Sequence, residues 1–443
     1  MPSLDALRKQ HPRFVYRGYD IAEQDGDLRL TFDFLIEPDI EFAPTLTLHN
    51  AAKPASALPP GVQENLTFHL GLAEIPSYWK AAASPEIVVA AGPLDGAQIT
   101  WWHKLLLEGM GEYFYVNQID FTQPGFVRIL AENEEEPFAR DERIFDERRF
   151  LIPIGGGKDS AVTLQLLRDL PHACFGLNPI AAASLMMEGC TEQIRVTRRI
   201  DRRLLDLNAA GYLNGHTPFS SVVAFVSTAC AQIFGYSHIV LSNERSSNEG
   251  NVFWLGREIN HQYSKTFEFE QAFRQYVDRY IGPVVYFSFL RPLYEVQIAR
   301  LFARMPDYHQ VFLSCNRGQK TNTWCHECSK CLFVFTALYP FIGWEGLSTI
   351  FDHDLFHDTD LLPIAHELIG TADQKPFECV GTHAETALAF SMSLQQAGNP
   401  TPPLLAALAP ELPPVDKTLL DAWNPEHALP ADLVALLKDA LHA

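Results

Sequence analysis

No stretch of this 443-residue chain is long and apolar enough to span a bilayer. The longest apolar run, residues 222–234, is broken by Ser227, Thr228 and Gln232. Residues 1–10 carry charges throughout and lack an apolar h-region, so no secretory signal is expected. Positive charge is scarce: 34 Lys and Arg stand against 54 Asp and Glu, a net charge of -20. Such a chain repels phosphate backbones, which argues against nucleic-acid partners and demands a local basic patch for any anionic substrate. Cysteine is sparse and uneven. Three of the eight crowd into residues 325–331, unlike a secreted disulfide framework, and this points to a metal in a reducing compartment. No internal repeat is visible. These absences describe a cytoplasmic protein that binds neither membrane nor nucleic acid. An apolar fraction of 47% is enough for a sizeable core, and the length allows two or three domains.

What is present divides near residue 145. Residues 13–17 and 28–34 alternate like strands around Asp25-Gly26, a hairpin signal, and 86–90 is a further strand. Residues 101–115 read as a helix whose aromatics, Trp101, Trp102, Tyr113 and Tyr115, suit core packing better than a pocket. Residues 1–145 therefore read as an α+β domain. The run 132–149, with Glu132, Glu134, Glu135 and Glu136, reads as a solvated connector.

From Phe150 the pattern becomes strand, glycine-rich turn, helix. Strands are expected at 150–154, 172–177 and 238–242, and helices at 160–169, 192–207 and 220–234, the last opened by Thr217-Pro218 as cap and first turn. This alternation predicts an α/β fold with a doubly wound parallel sheet over residues 146–443. Residues after about 335 read as a mainly helical C-terminal extension, with the Pro-rich segment 400–414 as loop.

The segment Gly155-Gly156-Gly157-Lys158-Asp159-Ser160 lies between a strand and a helix. Glycines allow several N–H groups to approach one phosphate, and the helix N-terminus adds its dipole. Lys158 adds a charge, Ser160 a hydroxyl, and Asp159 a carboxylate for Mg²⁺. The Walker A pattern does not fit: Ile152 stands where its first Gly belongs, and Asp159 where Ser or Thr belongs. A glycine-rich turn without ligand is the plain alternative. The segment resembles the SGGxDS loop of PP-loop ATP pyrophosphatases, with Gly155 in place of the usual Ser. That resemblance implies a HUP-like core that grips the pyrophosphate of ATP while a substrate oxygen attacks the α-phosphate, giving an adenylate.

Cys315, Cys325, Cys328 and Cys331 form C-x9-C-x2-C-x2-C, a spacing suited to tetrahedral Zn²⁺ in a closed, structural site. A [4Fe–4S] cluster or metal-free thiols are the alternatives, and His326 is a substitute ligand. The spacing is similar to the zinc site of 7-cyano-7-deazaguanine synthases, which are also PP-loop enzymes.

Polar residues gather after the expected strands: Gly215-His216-Thr217, then Asn243-Glu244-Arg245 with Asn248 and Asn251, then His261, Tyr263 and Lys265. Ligands of open α/β sheets bind beyond the carboxyl ends of strands. Asn243 and Glu244 are expected at the nucleotide, and Arg245, Asn248, Asn251 and Tyr263 at the substrate, although each singly fits loop or capping chemistry. The runs 150–160, 243–251, 260–265, 324–331 and 375–382, with 14–19, together resemble the UDP-N-acetyl-α-D-muramoyl-L-alanyl-L-glutamate epimerases over most of the chain. This resemblance implies conversion of a terminal L-Glu to D-Glu in a peptidoglycan precursor, with ATP and Mg²⁺ consumed to AMP and pyrophosphate.

The chemistry is coherent. A free carboxylate resists loss of its α-proton because a second negative charge would build beside it. Adenylation removes that obstacle, a base takes the proton, and reprotonation on the other face inverts the centre. His216, His261, Lys265 and Cys379 are the candidate bases; Cys379 also fits a buried structural thiol. Arg195, Arg198, Arg199, Arg202 and Arg203 would share one face of the expected helix 192–207, a stripe that suits the UDP diphosphate or simply a solvated face paired with Asp201 and Asp206. The rival functions are a PP-loop pyrophosphatase acting on a nucleobase or another carboxylate, and a nucleotide sensor without turnover.

Overall fold

The computed structural model describes residues 3–133, 136–415 and 417–442. Glu134 and Glu135 of the charged connector lie outside the described residues.

The first strands are β1 (Arg13–Gln24), β2 (Asp27–Ile36), β3 (Ile40–Phe42), β4 (Thr45–Leu48), β5 (Glu86–Val89) and β6 (Arg128–Ala131). β1 and β2 pair antiparallel around Asp25 and Gly26, both at positive φ, the backbone that a two-residue hairpin turn requires. Period-two patterning then sends Leu28, Leu30, Phe32, Phe34 and Ile36 of β2 into the core. The later strands are β7 (Phe150–Pro153), β8 (His172–Leu177), β9 (Gln193–Arg199), β10 (His238–Leu241), a small hairpin of β11 (Val252–Trp254) and β12 (Arg257–Ile259), and β13 (Val285–Ser288).

All but the small hairpin join one 11-stranded sheet, ordered β13-β10-β7-β8-β9-β4-β2-β1-β5-β6, with β3 beside β2. The sheet is mixed but mostly parallel: β13, β10, β7, β8 and β9 run parallel, as do β1, β5 and β6. β4 pairs antiparallel with both β2 and β9 and so joins the N-terminal strands to the later ones. Alternate residues of β7, β8, β10 and β13 enter two different cores. Leu151, Ala173, Phe175, Ile239 and Tyr286 pack with helices Val62–Trp79, Phe219–Phe234 and Phe267–Tyr280. Phe150, Ile152, Cys174, Val240 and Phe287 pack with Lys158–Leu167, Glu295–Phe302 and Ser329–Leu347. The strands buried on both faces thus read as unbroken apolar runs. Of the aromatics of residues 101–115, Trp102 and Tyr113 are buried core and Trp101 packs on Tyr276 at 4.4 Å, while Tyr115 is half-buried against Trp254 and Phe377.

Several expectations are corrected. Residues 192–207 are not one helix. Ile194 and Val196 alternate with polar neighbours and take β9, and a helix, Arg202–Ala209, starts only after Asp201 caps it. Local β-branched alternation outweighs the arginine spacing, so the five arginines share no stripe. Helix Phe219–Phe234 follows Pro218, and no side chain caps it; Thr217 does not act as cap. The segment 400–414 contains a helix, Pro403–Leu408, whose Leu404, Leu405 and Leu408 are buried. Within the connector, Asp141 is buried and held by the Arg143 guanidinium. Cys174 and Cys190 form an intrachain disulfide, which the sequence reading did not anticipate.

Arg198 acquires a structural role. From β9 its guanidinium grips Glu74 of helix Val62–Trp79 through two bonds of 2.6 Å and reaches Ser77 at 2.9 Å. Both side chains are largely buried. Arg198→Ala leaves a buried carboxylate without its partner, and the expected loss is about 3–5 kcal/mol. Urea unfolding of the variant checks this; a loss within a few tenths of a kcal/mol contradicts the assignment.

Candidate active site

The loop 155–160 follows β7, between β8 and β10. In the order β13-β10-β7-β8-β9, chain connections leave β7 to one side and return on the other, so the loop sits where the strand order reverses. Gly156 has φ +87°, and a Cβ there would stand 2.7 Å from the Ala183 backbone nitrogen. No other residue fits so closely. Leu313 N–H donates to the Gly156 carbonyl at 2.9 Å, backing the loop from below. Gly157 precedes helix Lys158–Leu167, and no side chain caps that helix, so its first N–H groups are open to an anion.

This loop borders a cavity of about 320 Å³ lined by Gly155, Gly157, Asp159, Ser160, Asn243 and Glu244, and also by Lys265, Lys330 and Cys379. Phe175, Leu177, Val223 and Leu241 supply apolar surface. Behind the loop, one carboxylate oxygen each of Asp159, Glu244 and Glu295 fall within 4.8 Å of one another, an oxygen set that suits Mg²⁺. Lys158 is buried against this group. Its ammonium bonds Asp159 at 2.5 Å and also Glu295, and it is not among the cavity-lining residues. Burial raises the Glu295 carboxyl, Asp159 adds to that rise, and Lys158 opposes it.

The four candidate bases meet. Lys265 Nζ donates to Cys379 Sγ at 3.0 Å, and Cys379 Sγ lies 4.0 Å from His261 Nε2. The His261 ring is 5.6 Å from that of His216, whose Nδ1 is 3.1 Å from Glu112. Asn251 fixes the His261 tautomer. Its amide nitrogen donates to the Pro376 carbonyl at 2.6 Å, so its oxygen must accept, taking the His261 backbone N–H at 3.0 Å and Nδ1–H at 2.9 Å. Nε2 is therefore the unprotonated nitrogen, facing the thiol. Burial, with Lys265, Lys330 and Lys375 nearby, pushes His261 down to about 3 and keeps the imidazole neutral. Burial likewise lowers His216 to about 4 and lifts Glu112 to about 7, the latter helped by Cys379. For Lys265 burial opposes the charge, but Cys379 and Glu244 outweigh it and the ammonium is favoured.

The remaining expected substrate residues do not line this cavity, nor do His216 and His261. Arg245 stacks on Tyr294 at 4.4 Å, Asn248 accepts the Phe267 N–H at 3.0 Å, and Tyr263 is buried against Phe269. Arg195 reaches Gln193 and Ser184, Arg199 pairs in register with Thr45 of β4, and Arg202 begins its helix. None of them, nor Asn251, lines the cavity. Sequence reasoning missed Glu295, Lys330 and Arg291. Arg291 is buried and donates to the carbonyls of Glu244, at 2.6 Å, and Lys265, fixing two cavity walls at once. Nothing in the local sequence marks it. Lys330 had a signal, because it sits inside the cysteine knuckle.

The sulfurs of Cys315, Cys325, Cys328 and Cys331 all lie within 4.8 Å of one another, and His326 is not in the group. The contacts Cys328–Cys331, 3.5 Å, and Cys325–Cys331, 3.7 Å, match the edge of about 3.8 Å that Zn–S bonds of about 2.3 Å give a tetrahedron. Four thiols suit zinc. The knuckle opens helix Ser329–Leu347, whose Lys330 N–H and Ser329 hydroxyl hold Glu378 at 2.9 and 3.0 Å while the Lys330 ammonium bonds the Cys379 carbonyl. The cluster thus anchors Cys379. Cys328→Ser is expected to lower bound zinc from about one per chain and to destabilise the fold, since bound metal contributes folding free energy. Metal analysis with thermal melting checks this; a zinc-free wild type of unchanged stability overturns it.

Among the described residues no helix is long and apolar enough to cross a membrane. No solved structure matches the chain. Residues 6–289 match the MurL N-terminal domain family, and residues 311–421 the MurL C-terminal domain family. The chain is 36% identical over 416 residues to the UDP-N-acetyl-alpha-D-muramoyl-L-alanyl-L-glutamate epimerase of Salinispora tropica, covering 90% of this chain and 89% of that one. It is 32% identical over 378 residues to the enzyme of the same name from Xanthomonas oryzae pv. oryzae, covering 81% and 82%. Coverage of both family domains and of nearly the whole length of these relatives places the chain in the MurL epimerase family.

Proposed function

We propose that this protein converts the terminal L-Glu of UDP-N-acetylmuramoyl-L-alanyl-L-glutamate to D-Glu, cleaving ATP to AMP and pyrophosphate through an acyl-adenylate. The observation that carries the reading is one cavity with two chemistries: a phosphate loop at the reversal of strand order and the Lys265–Cys379 pair line the same space. On this reading residues 150–288 form a PP-loop pyrophosphatase core. The open N–H groups after Gly157 hold pyrophosphate oxygens, and Phe175, Leu177 and Val223 take the adenine. Mg²⁺ on Asp159, Glu244 and Glu295 would neutralise charge building on the phosphates. Lys265 and Lys330 supply the basic patch that an acidic chain needs for an anionic peptide.

The α-proton is removed beside these residues. Adenylation makes the acyl group electron-withdrawing, Lys265 stabilises the negative charge that appears on the acyl oxygen, and reprotonation on the other face gives the D-centre. The diagnostic experiment mixes the protein with ATP, Mg²⁺ and the muramoyl dipeptide and follows AMP and Glu stereochemistry together. AMP and D-Glu should appear in step. Inversion without ATP, or AMP release with Glu left entirely L, overturns the proposal.

A further inference from the structure

Cys379 is built as a nucleophile. A carbon base needs only a lone pair of suitable basicity, whereas this sulfur has the accessories of covalent catalysis. The bare Nε2 of His261 faces it at 4.0 Å, Asn251 locks that tautomer at 2.9 Å, and the Asn251 amide is itself tied to the Pro376 carbonyl. Thiol, imidazole and an orienting amide form the arrangement that activates cysteine for acyl transfer. Separations of this kind tighten when substrate binds. Lys265 adds an ammonium 3.0 Å from the sulfur on the cavity side. Cys379 is also held from behind: its carbonyl accepts from Lys330, and Glu378 before it is pinned to the start of helix Ser329–Leu347. The sulfur opens into the same cavity as the phosphate loop, where an acyl-adenylate would lie.

We infer that Cys379 captures the glutamyl group from the adenylate as an enzyme-bound thioester, and that the α-centre inverts on this thioester. This rests on the adenylate of the proposed function and adds a step to it. Sγ attacks the acyl carbon, the bond from that carbon to the AMP oxygen breaks with its electron pair leaving on AMP, and the thiol proton passes to His261 Nε2. A thioester acidifies its α-hydrogen, since sulfur donates little to the carbonyl. Lys265, 3.0 Å from the sulfur, stands beside the new acyl group to stabilise the charge that builds on its oxygen as the α-proton leaves. Water finally cleaves the C–S bond, giving the D-configured carboxylate and returning a proton to Sγ. AMP therefore departs before inversion.

Acid-quenched protein, taken during turnover with ATP, Mg²⁺ and the muramoyl dipeptide, is examined by intact and peptide mass spectrometry. The expected result is an adduct of substrate mass less one water on the peptide containing Cys379, absent from Cys379→Ala. Cys379→Ser should accumulate the same adduct as a slower-hydrolysing ester, which also shows that the altered site still folds. If wild type and Cys379→Ser both stay unmodified while wild type turns over, the thioester is overturned, and loss of inversion in Cys379→Ala then makes the sulfur a proton base. Substrate-dependent exchange of labelled pyrophosphate into ATP by the wild type tests the underlying adenylate separately. Exchange without adduct refutes only the thioester, and absence of exchange refutes the adenylation reading.

Discussion

Asp159→Ala is expected to lower AMP formation by about 10²–10³-fold, the usual cost of removing one preorganised electrostatic contact from a transition state. Asp159 lines the cavity and belongs, with Glu244 and Glu295, to a cluster of three carboxylates at the phosphate loop. Lys158→Ala should cause a comparable loss by another route. The lysine is buried, and its ammonium neutralises Asp159 and Glu295 together. Removing it strands the fully enclosed Glu295, so this variant should also lose about 3–5 kcal/mol of stability. Asp159→Ala leaves the buried Lys158 ammonium still paired with Glu295 and should melt close to wild type. Steady-state AMP release, set beside melting curves, separates the effects. Normal turnover in both variants would remove the loop from the reaction.

Lys265→Met is expected to suppress inversion by about 10³-fold, within the range for loss of a positioned acid or base. The substitution keeps much of the length and volume while removing the charge. Lys265 lies 3.0 Å from Cys379, and its carbonyl end is clamped by Arg291 and by Ser247 at 3.1 Å, so little backbone disturbance should follow. The measurement is incorporation of solvent deuterium at the glutamyl α-carbon, alongside exchange of pyrophosphate into ATP. Exchange should continue while deuterium uptake collapses. Equal loss of both would place Lys265 with the nucleotide, and unchanged deuterium uptake would take it out of the chemistry altogether.

The parts of the fold that were legible in sequence share a cause. The β1–β2 hairpin, the strand before Gly155 and the helix after it are set by local rules: alternation, positive-φ turn residues, an apolar run ending in glycine. The segment 192–207 failed because helical spacing of arginines and strand alternation of Ile194 and Val196 compete within seven residues, and pairing with β4 and β8 decides the outcome. The candidate bases were nameable singly, as polar residues near expected strand ends. Their convergence was not, since His216 and Cys379 belong to segments joined only by tertiary packing. Arg291 and Glu295 were invisible for the same reason. A buried charge announces itself through its partners, and those partners are distant in the chain.

The antiparallel seam between β4 and β9 has a practical consequence for anyone who cuts this chain. Residues 45–48 complete the hydrogen bonding of 196–199 on the side facing away from β8. A protease nick between Glu142 and Arg148 would sever the connector yet leave that seam intact, so the two fragments should travel as a single particle and part only in denaturant. Shortening the gene past Leu48 does the reverse. It would strip β9 of a neighbour and expose a row of unpaired N–H and C=O groups, a ready template for strand-to-strand aggregation. Expression of residues 146–443 alone should therefore yield insoluble material, and recovery should improve when the first 131 residues are supplied as a second chain.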